Sequence, residues 1–325
     1  MSLWRNRWAR RAVAAAIVAV AFVVVLPRLA DYGEVWGQVR QLGPGSLATL
    51  SLATALNLVT FGPPLMAALP GIGFRRAFTA AQASTASTYV APGGAAVGIA
   101  LMFVLLRRTG FRGATVALAV TLTGLWNQLA MLSFPALALG LLTLTGEHDP
   151  LLQTVGAIGL VVFVAAFGVF ALALASQRAA RRAGERLARL TKRWEAETLL
   201  RFRAQAVDLL RRRWLHLTVA TLAGQLTVFG VLLASLRTLG VEGGEVTLVE
   251  AFAAWSVVRL LGSLPLTPGG IGIVEIGLTT ALVSFGGDRA EVVAAVLVFR
   301  FLTVVPTLLL GLVLGPSLRR STPRL

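Results

Sequence analysis

Four charged residues lie inside long apolar stretches in the second half of the chain: Glu250, Arg259, Glu275 and Arg300. A charge at the centre of a bilayer costs roughly 2.5–3.5 kcal/mol on insertion scales, so such residues need partners or a wet cavity. Arginine binds phosphate through two parallel N–H donors. A carboxylate can bind an amine or carry a proton. The four residues predict either a structural ion-pair cluster or, as we favour, a site for a charged headgroup. Glu250 lies nearest a segment end, so an interfacial position is its alternative.

A proline followed by two glycines interrupts two of the apolar stretches. Pro92-Gly93-Gly94 lies in 77–106, and Pro268-Gly269-Gly270 lies in 246–285. After the first break only about 18 Å of helix remains, which is too short for a hydrocarbon core of about 30 Å. Non-helical backbone at membrane depth is tolerated only against protein or a wet cavity. We therefore predict two re-entrant hairpins with these residues at their tips. The two tips are expected to frame the substrate-binding site.

Glu275 has few predicted partners after the second break. It lies about a turn and a half into the helix that follows, which is too far to cap that helix. Arg259 and Arg300 are the cations at comparable depth, so we expect Glu275 to pair with them.

Composition indicates that these elements belong to a membrane protein. The 325-residue chain is 56% hydrophobic and 14% charged, whereas soluble domains are about 25% charged. The windows long and apolar enough to cross a bilayer are 12–26 with its flanks, 46–69, 114–145, 151–176, 214–236 and 292–315. The predicted fold is an all-α polytopic membrane protein with a single membrane domain, 1–325. It has about six full transmembrane helices and two re-entrant hairpins.

The arginines predict the orientation of the chain. The net charge is +16, and the segment 177–213 alone carries twelve Lys or Arg residues. The positive-inside rule places this segment and both termini in the cytoplasm, in a multi-pass protein of the inner (plasma) membrane. Apolar residues at helical spacing predict that 177–213 is a basic amphipathic helix on anionic lipid, with a solvated connector as the alternative.

With this orientation the two hairpins enter the membrane from opposite sides. The chain then contains an inverted repeat, 46–145 and 214–315, which is an arrangement found in transporters. The alternative is a pair of unrelated kinks.

Several classes of function find no support in the sequence. There is no cysteine, so disulfides and thiol chemistry are excluded, and there are only two histidines. Neither a Walker motif, a dinucleotide fingerprint nor a catalytic triad occurs, so we predict no metal, no cofactor and no catalytic residue. Anionic lipid explains the basic charge more simply than nucleic acid does. An enzyme is the less favoured class, and the question stays open.

The residues around the second break resemble a known family. Arg259, the stretch PLTPGGIGIVEIG and Arg300 in AAVLVFRFLTVVP are similar to the signature of the lysylphosphatidylglycerol synthase transmembrane family, also called the flippase-like domain family. The stretch GIGFRRAFTAAQASTASTYVAPGGAAVG resembles its first half. The resemblance implies an integral inner-membrane protein associated with phospholipid translocation. In the larger synthases this region precedes a soluble domain that transfers an aminoacyl group from tRNA to phosphatidylglycerol. This sequence ends at Leu325, soon after its last predicted helix, so we expect the membrane part alone.

We therefore predict a lipid transporter, flippase-like, for a phospholipid or a related lipid phosphate. Arg259 and Arg300 hold the phosphate in this hypothesis, and Glu275 tunes them or binds a cation. Two alternatives stay open: a lipid-modifying transferase of the aminoacyl-phospholipid type, and an accessory scaffold for envelope synthesis. The expected partners are the lipid substrate and anionic membrane lipids, without nucleic acid. A second copy of the chain and envelope-synthesis proteins are further candidates.

Overall fold

The computed structural model describes Gly37 and residues 40–91, 94–145, 150–176, 196–263 and 267–315. Within these ranges the backbone is helix, turn or irregular connection, without a strand, which confirms the predicted all-α fold. The predicted first helix, 12–26, lies outside the described residues. So do Pro92 and Gly93 at the first break.

The helices follow the apolar windows and stop at Gly- or Pro-containing connections. They are α1 Pro44–Val59, α2 Pro63–Ala68, α3 Phe74–Val90, α4 Gly94–Arg107, α5 Gly113–Thr145, α6 Pro150–Ala175, α7 Ala196–Thr238, α8 Leu248–Gly262, α9 Ile273–Ser284 and α10 Arg289–Leu314. A short 3₁₀ turn, Pro268–Gly270, lies between α8 and α9.

Five helical stretches are long and apolar enough to cross a membrane. They are Pro44–Ala68, Gly113–Leu144, Ala157–Ala175, Leu200–Thr238 and Arg289–Leu314. They coincide with the predicted windows from 46–69 onwards, so the polytopic membrane architecture is confirmed. In Ala157–Ala175 the share of buried residues is only 6%, although its hydropathy of 2.7 is the highest of the five. Apolar side chains can face outward in this way because lipid tails solvate them as well as a protein core does.

The chain divides into two compact units. The first draws its described residues from Met1–Leu58, Gln82–Leu101 and Thr227–Gly315, and there α9 packs against both α8 and α10. The second draws them from Val59–Ala81 and Met102–Leu226, and there α5 packs against α2 and α6. The predicted repeats, 46–145 and 214–315, follow other boundaries and stay a prediction.

Helix α7 is longer than the sequence pattern suggested. Its 43 residues extend over about 64 Å at 1.5 Å per residue, so the basic part, 196–213, continues directly into the apolar part. The range contains no proline, and pairs one turn apart support it: Arg201 with Glu197 at 2.6 Å and Arg212 with Asp208 at 3.1 Å. The hydrogen bond that Arg201 donates to the Glu197 carboxylate lowers the pKa of Glu197. Residues 177–195 of the predicted basic segment lie outside the described residues.

Candidate functional site

The second break closes tightly against the end of α8. Gly269 and Gly270 have φ angles of +62° and +68°, a left-handed conformation that favours glycine. A Cβ atom on Gly269 would overlap the ring of Tyr89, and one on Gly270 would lie 3.0 Å from the carbonyl oxygen of Gly262. The glycines predicted as a hairpin tip are therefore required by both backbone conformation and close packing.

Both interrupted segments form pairs of short helices. Helices α8 and α9 have 15 and 12 residues, about 22 and 18 Å, and each is shorter than a hydrocarbon core of about 30 Å. In the first pair, the Ser84 hydroxyl on α3 donates a hydrogen bond to the Gly98 carbonyl on α4 at 2.8 Å. Gly94 opens α4, where a Cβ atom would overlap the backbone of Thr88.

Glu275 and Arg300 form a buried ion pair, as expected from their shared depth. Arg300 Nε lies 2.5 Å from Glu275 Oε1, and the two side chains are 5% and 4% exposed. Arg300 Nη2 also donates a hydrogen bond to the Gly269 carbonyl at 3.3 Å. The pair therefore connects α9, α10 and the break.

Glu275 also caps its own helix, so the expectation that it lies too far in to do so was wrong. Its Oε2 accepts a hydrogen bond from the Gly272 backbone N–H at 2.6 Å. The helix begins only at Ile273, because Ile271 and Gly272 still form a turn after the break. Glu275 is consequently the third helical residue, from which a carboxylate reaches back to the residue before the helix.

Arg259 lies on the last turn of α8 without an ion-pair partner in the described part of the chain. Its Nε atom is buried and has no hydrogen-bond partner among the described residues, and the same holds for the Thr267 hydroxyl beside the break. Gly262, three residues after Arg259 on α8, packs against Gly270, and the neighbouring Gly269 carbonyl accepts a hydrogen bond from Arg300. The structure thus brings together two guanidinium groups and one carboxylate, with one positive charge in excess.

Glu250 has a different position from the other predicted site residues. It lies in the first turn of α8, nine residues before Arg259 or about 13 Å along the helix. Its Oε2 accepts hydrogen bonds from the Thr247 backbone N–H at 2.7 Å and the Thr247 hydroxyl at 2.8 Å. Glu250 therefore stabilises the start of α8, and the Thr-x-x-Glu spacing is the sequence signal for that role.

Tyr89 is the site residue that sequence reasoning missed. It is the second-last residue of α3, beside the first break. Its ring lies against Gly269, and it packs on a core cluster of Ala86, Val304 and Leu308. The first interrupted segment thus contributes an aromatic side chain to the break of the second. An aromatic residue with a polar tip next to a helix break was the available signal. Among the described residues, no group of three or more His, Asp or Glu side chains lies together as metal ligands would.

The apolar spans, the broken helices and the buried charge cluster define a polytopic helical membrane protein. A family model described as the lysylphosphatidylglycerol synthase TM region matches residues 12–311 of the chain. The protein belongs to this family, and the predicted resemblance is confirmed for the membrane part. The matched range contains both breaks and all the residues of the charge cluster. No curated protein matches the chain in sequence.

Proposed function

We propose that this protein moves a phospholipid, or a related lipid phosphate, between the two leaflets of the plasma membrane. The observation that carries the proposal is the excess positive charge at the second break, on the partly buried side chain of Arg259. Arg300 is neutralised by Glu275 at 2.5 Å, whereas the buried Nε atom of Arg259 has no partner in the described part of the chain.

An anionic ligand would satisfy this cluster. A partly buried cation whose Nε atom has no partner is unfavourable, and the bound phosphodiester of a lipid would supply one negative charge. Arg259 offers charge-assisted donors in a planar fork, and the Thr267 hydroxyl offers a further donor. Because Glu275 neutralises Arg300, Arg259 is the arginine left to make the principal contact with the phosphate.

In this proposal the two helix breaks form the path by which the lipid head group crosses the membrane. Short helices on either side of each break fit re-entrant hairpins, with tips at Pro92-Gly93-Gly94 and Pro268-Gly269-Gly270. If the hairpins enter from opposite faces, the two repeats form an inverted pair around a site near the bilayer midplane. The arginine-rich segment and both termini would then face the cytoplasm and its anionic lipids.

A transferase that modifies the same lipid is the second candidate, because the family is described through a synthase. The charge cluster favours translocation. Glu275 already accepts hydrogen bonds from Arg300 and Gly272, and the cluster brings together no nucleophile and free base among its described residues. A scaffold role, a homo-oligomer and envelope-synthesis partners stay predictions.

Leaflet-specific labelling of proteoliposomes tests the proposal. A fluorescent lipid phosphate is placed in one leaflet, and its movement is followed with a membrane-impermeant quencher. Arg259→Gln is expected to slow transfer about tenfold or more, because a charge-assisted hydrogen bond contributes about 1.5–3 kcal/mol. The control is Arg212→Gln, which removes an exposed arginine. Unchanged transfer by Arg259→Gln would refute the phosphate role, and a new lipid product in mass spectrometry would favour the transferase.

A further inference from the structure

The charges at the second break can be counted helix by helix. Helix α9 packs against both α8 and α10. The charged side chains of these three helices are Glu250 and Arg259 on α8, Glu275 on α9, and Arg289, Glu291 and Arg300 on α10. Glu250 and Glu291 each lie nine residues before the arginine on their helix, or about 13 Å along its axis. The charges at the break are therefore two arginines and one carboxylate, with a sum of +1.

Two of these three groups already bind each other. Arg300 Nε lies 2.5 Å from Glu275 Oε1, and the two side chains are 5% and 4% exposed. The second oxygen of Glu275 accepts from the Gly272 N–H. The ion pair is neutral, so the net charge that the break offers to a ligand is that of Arg259.

A site with one spare positive charge discriminates between ligands of different charge. The cost of removing an ion from water rises with the square of its charge, whereas its attraction to a single cation rises only in proportion. A phosphodiester carries one negative charge, which Arg259 neutralises. A doubly charged phosphomonoester would keep one negative charge unpaired at the same break as the Glu275 carboxylate.

We infer that the site selects lipids whose phosphate carries a single negative charge, and that Glu275 sets this limit by neutralising Arg300. Phospholipids with a phosphodiester meet the condition directly. A phosphomonoester lipid meets it only after it has gained a proton. The inference rests on the proposed function, because both place the lipid phosphate at Arg259.

The test compares two probe lipids with identical acyl chains. Phosphatidylethanol is a phosphodiester and phosphatidic acid is a phosphomonoester. Each displaces a tail-labelled fluorescent phosphatidylethanol from the purified full chain in neutral detergent micelles, at pH 6 and at pH 8.5. The second pKa of a phosphomonoester is about 6, so roughly half of the phosphatidic acid is singly charged at pH 6 and roughly one molecule in 300 at pH 8.5.

Phosphatidylethanol is also the control for titration of the protein. Its phosphodiester keeps one charge at both pH values, so any change in its affinity comes from the groups that line the break. The charged and titratable ones are Arg259 on α8, Glu275 on α9 and Arg300 on α10, with Tyr89 of α3 against Gly269. The ratio of the two affinities therefore isolates the charge of the lipid.

Wild type should bind the two lipids within about twofold of each other at pH 6 and prefer phosphatidylethanol by about tenfold or more at pH 8.5. Glu275→Gln frees Arg300 and raises the sum of charges to +2. In this variant phosphatidic acid should bind at pH 8.5 at least as tightly as phosphatidylethanol. Thr267→Val is the matched control, because it removes a neutral donor beside the break and should leave the ratio unchanged.

The wild-type ratio decides the inference even if Glu275→Gln does not fold. Phosphatidic acid that binds wild type at pH 8.5 as tightly as phosphatidylethanol would overturn it, because the site then accepts two negative charges. Failure of the proposed function has a different signature. Arg259→Gln would then leave the affinity for both lipids unchanged at both pH values, whereas a phosphate at Arg259 requires that both affinities fall.

Discussion

Neutralising one member of the buried ion pair should destabilise the protein more than neutralising both. Glu275→Gln leaves Arg300 charged and buried, while the new amide oxygen still accepts from the Gly272 N–H, as glutamine does in a capping box. The variant therefore removes the charge and keeps the helix cap. Arg300→Gln removes the positive charge instead, so the buried Glu275 carboxylate loses its cation.

The size of the effect follows from the geometry. At 2.5 Å and an effective dielectric constant of about 20, the Coulomb attraction is about 6–7 kcal/mol before desolvation is counted. Breaking such a buried pair costs about 3–5 kcal/mol. The double variant Glu275→Gln/Arg300→Gln buries no charge at this position. It loses mainly the Arg300 bond to Gly269, so we expect a cost of about 1 kcal/mol.

Denaturant titration in mixed micelles, followed by tryptophan fluorescence, measures the free energy of unfolding of the three variants. The exposed pair Asp208 and Arg212 is the control, because its side chains are 64% and 76% exposed. Asp208→Asn should cost less than about 0.5 kcal/mol. A double variant that is destabilised by the sum of the two single changes would refute the ion-pair reasoning.

The same double variant separates structure from function. If Arg300 helps to bind lipid phosphate, this variant folds and inserts normally but does not move lipid. An active double variant would instead assign Glu275 and Arg300 to a purely structural role.

Gly269→Ala should destabilise the protein by about 2 kcal/mol or more, because a left-handed φ costs about 1–2 kcal/mol and the Tyr89 ring adds a clash. Tyr89→Ala should recover only the clash, and an unchanged denaturation midpoint for Gly269→Ala would contradict this packing. In this cysteine-free chain, Thr267→Cys should react with impermeant thiol reagents from outside and Ala91→Cys from the cytoplasm. Leu309→Cys, at an exposed apolar position, should not react, and reaction of either tip residue from the opposite face would rule out inverted hairpins.

The membrane helices could be predicted because a helix that crosses a bilayer must be long enough and apolar enough, and both properties can be read from the sequence. Length and apolar composition locate the spans from 46–69 onwards, and glycine with proline locates the second break. The pairing of Glu275 was predictable for a similar reason. Few cations share its depth, so elimination left Arg259 and Arg300 as candidates.

The choice between those two arginines depends on helix rotation, which composition does not encode. Arg300 faces Glu275 because of how α10 packs on α9, and Arg259 is left without an ion pair in the described structure. The capping role of Glu275 depends on where α9 starts, and a shift of one or two residues decides it. Tyr89 reaches the second break through tertiary packing between residues far apart in sequence. The length of α7 was missed because a change in composition near 213 resembled a boundary although nothing there breaks a helix.

The left-handed turn at the second break has a consequence for how the gene can change. Gly269 and Gly270 occupy conformations that any chiral residue enters only with strain, and both are enclosed by neighbouring atoms. All glycine codons begin with the same bases and accept any base in the last place. Nearly every protein-altering point mutation at these codons therefore introduces a side chain that the turn cannot hold. Only silent substitutions are therefore neutral at these two codons, and the two glycines should stay unchanged while the rest of the gene accumulates mutations.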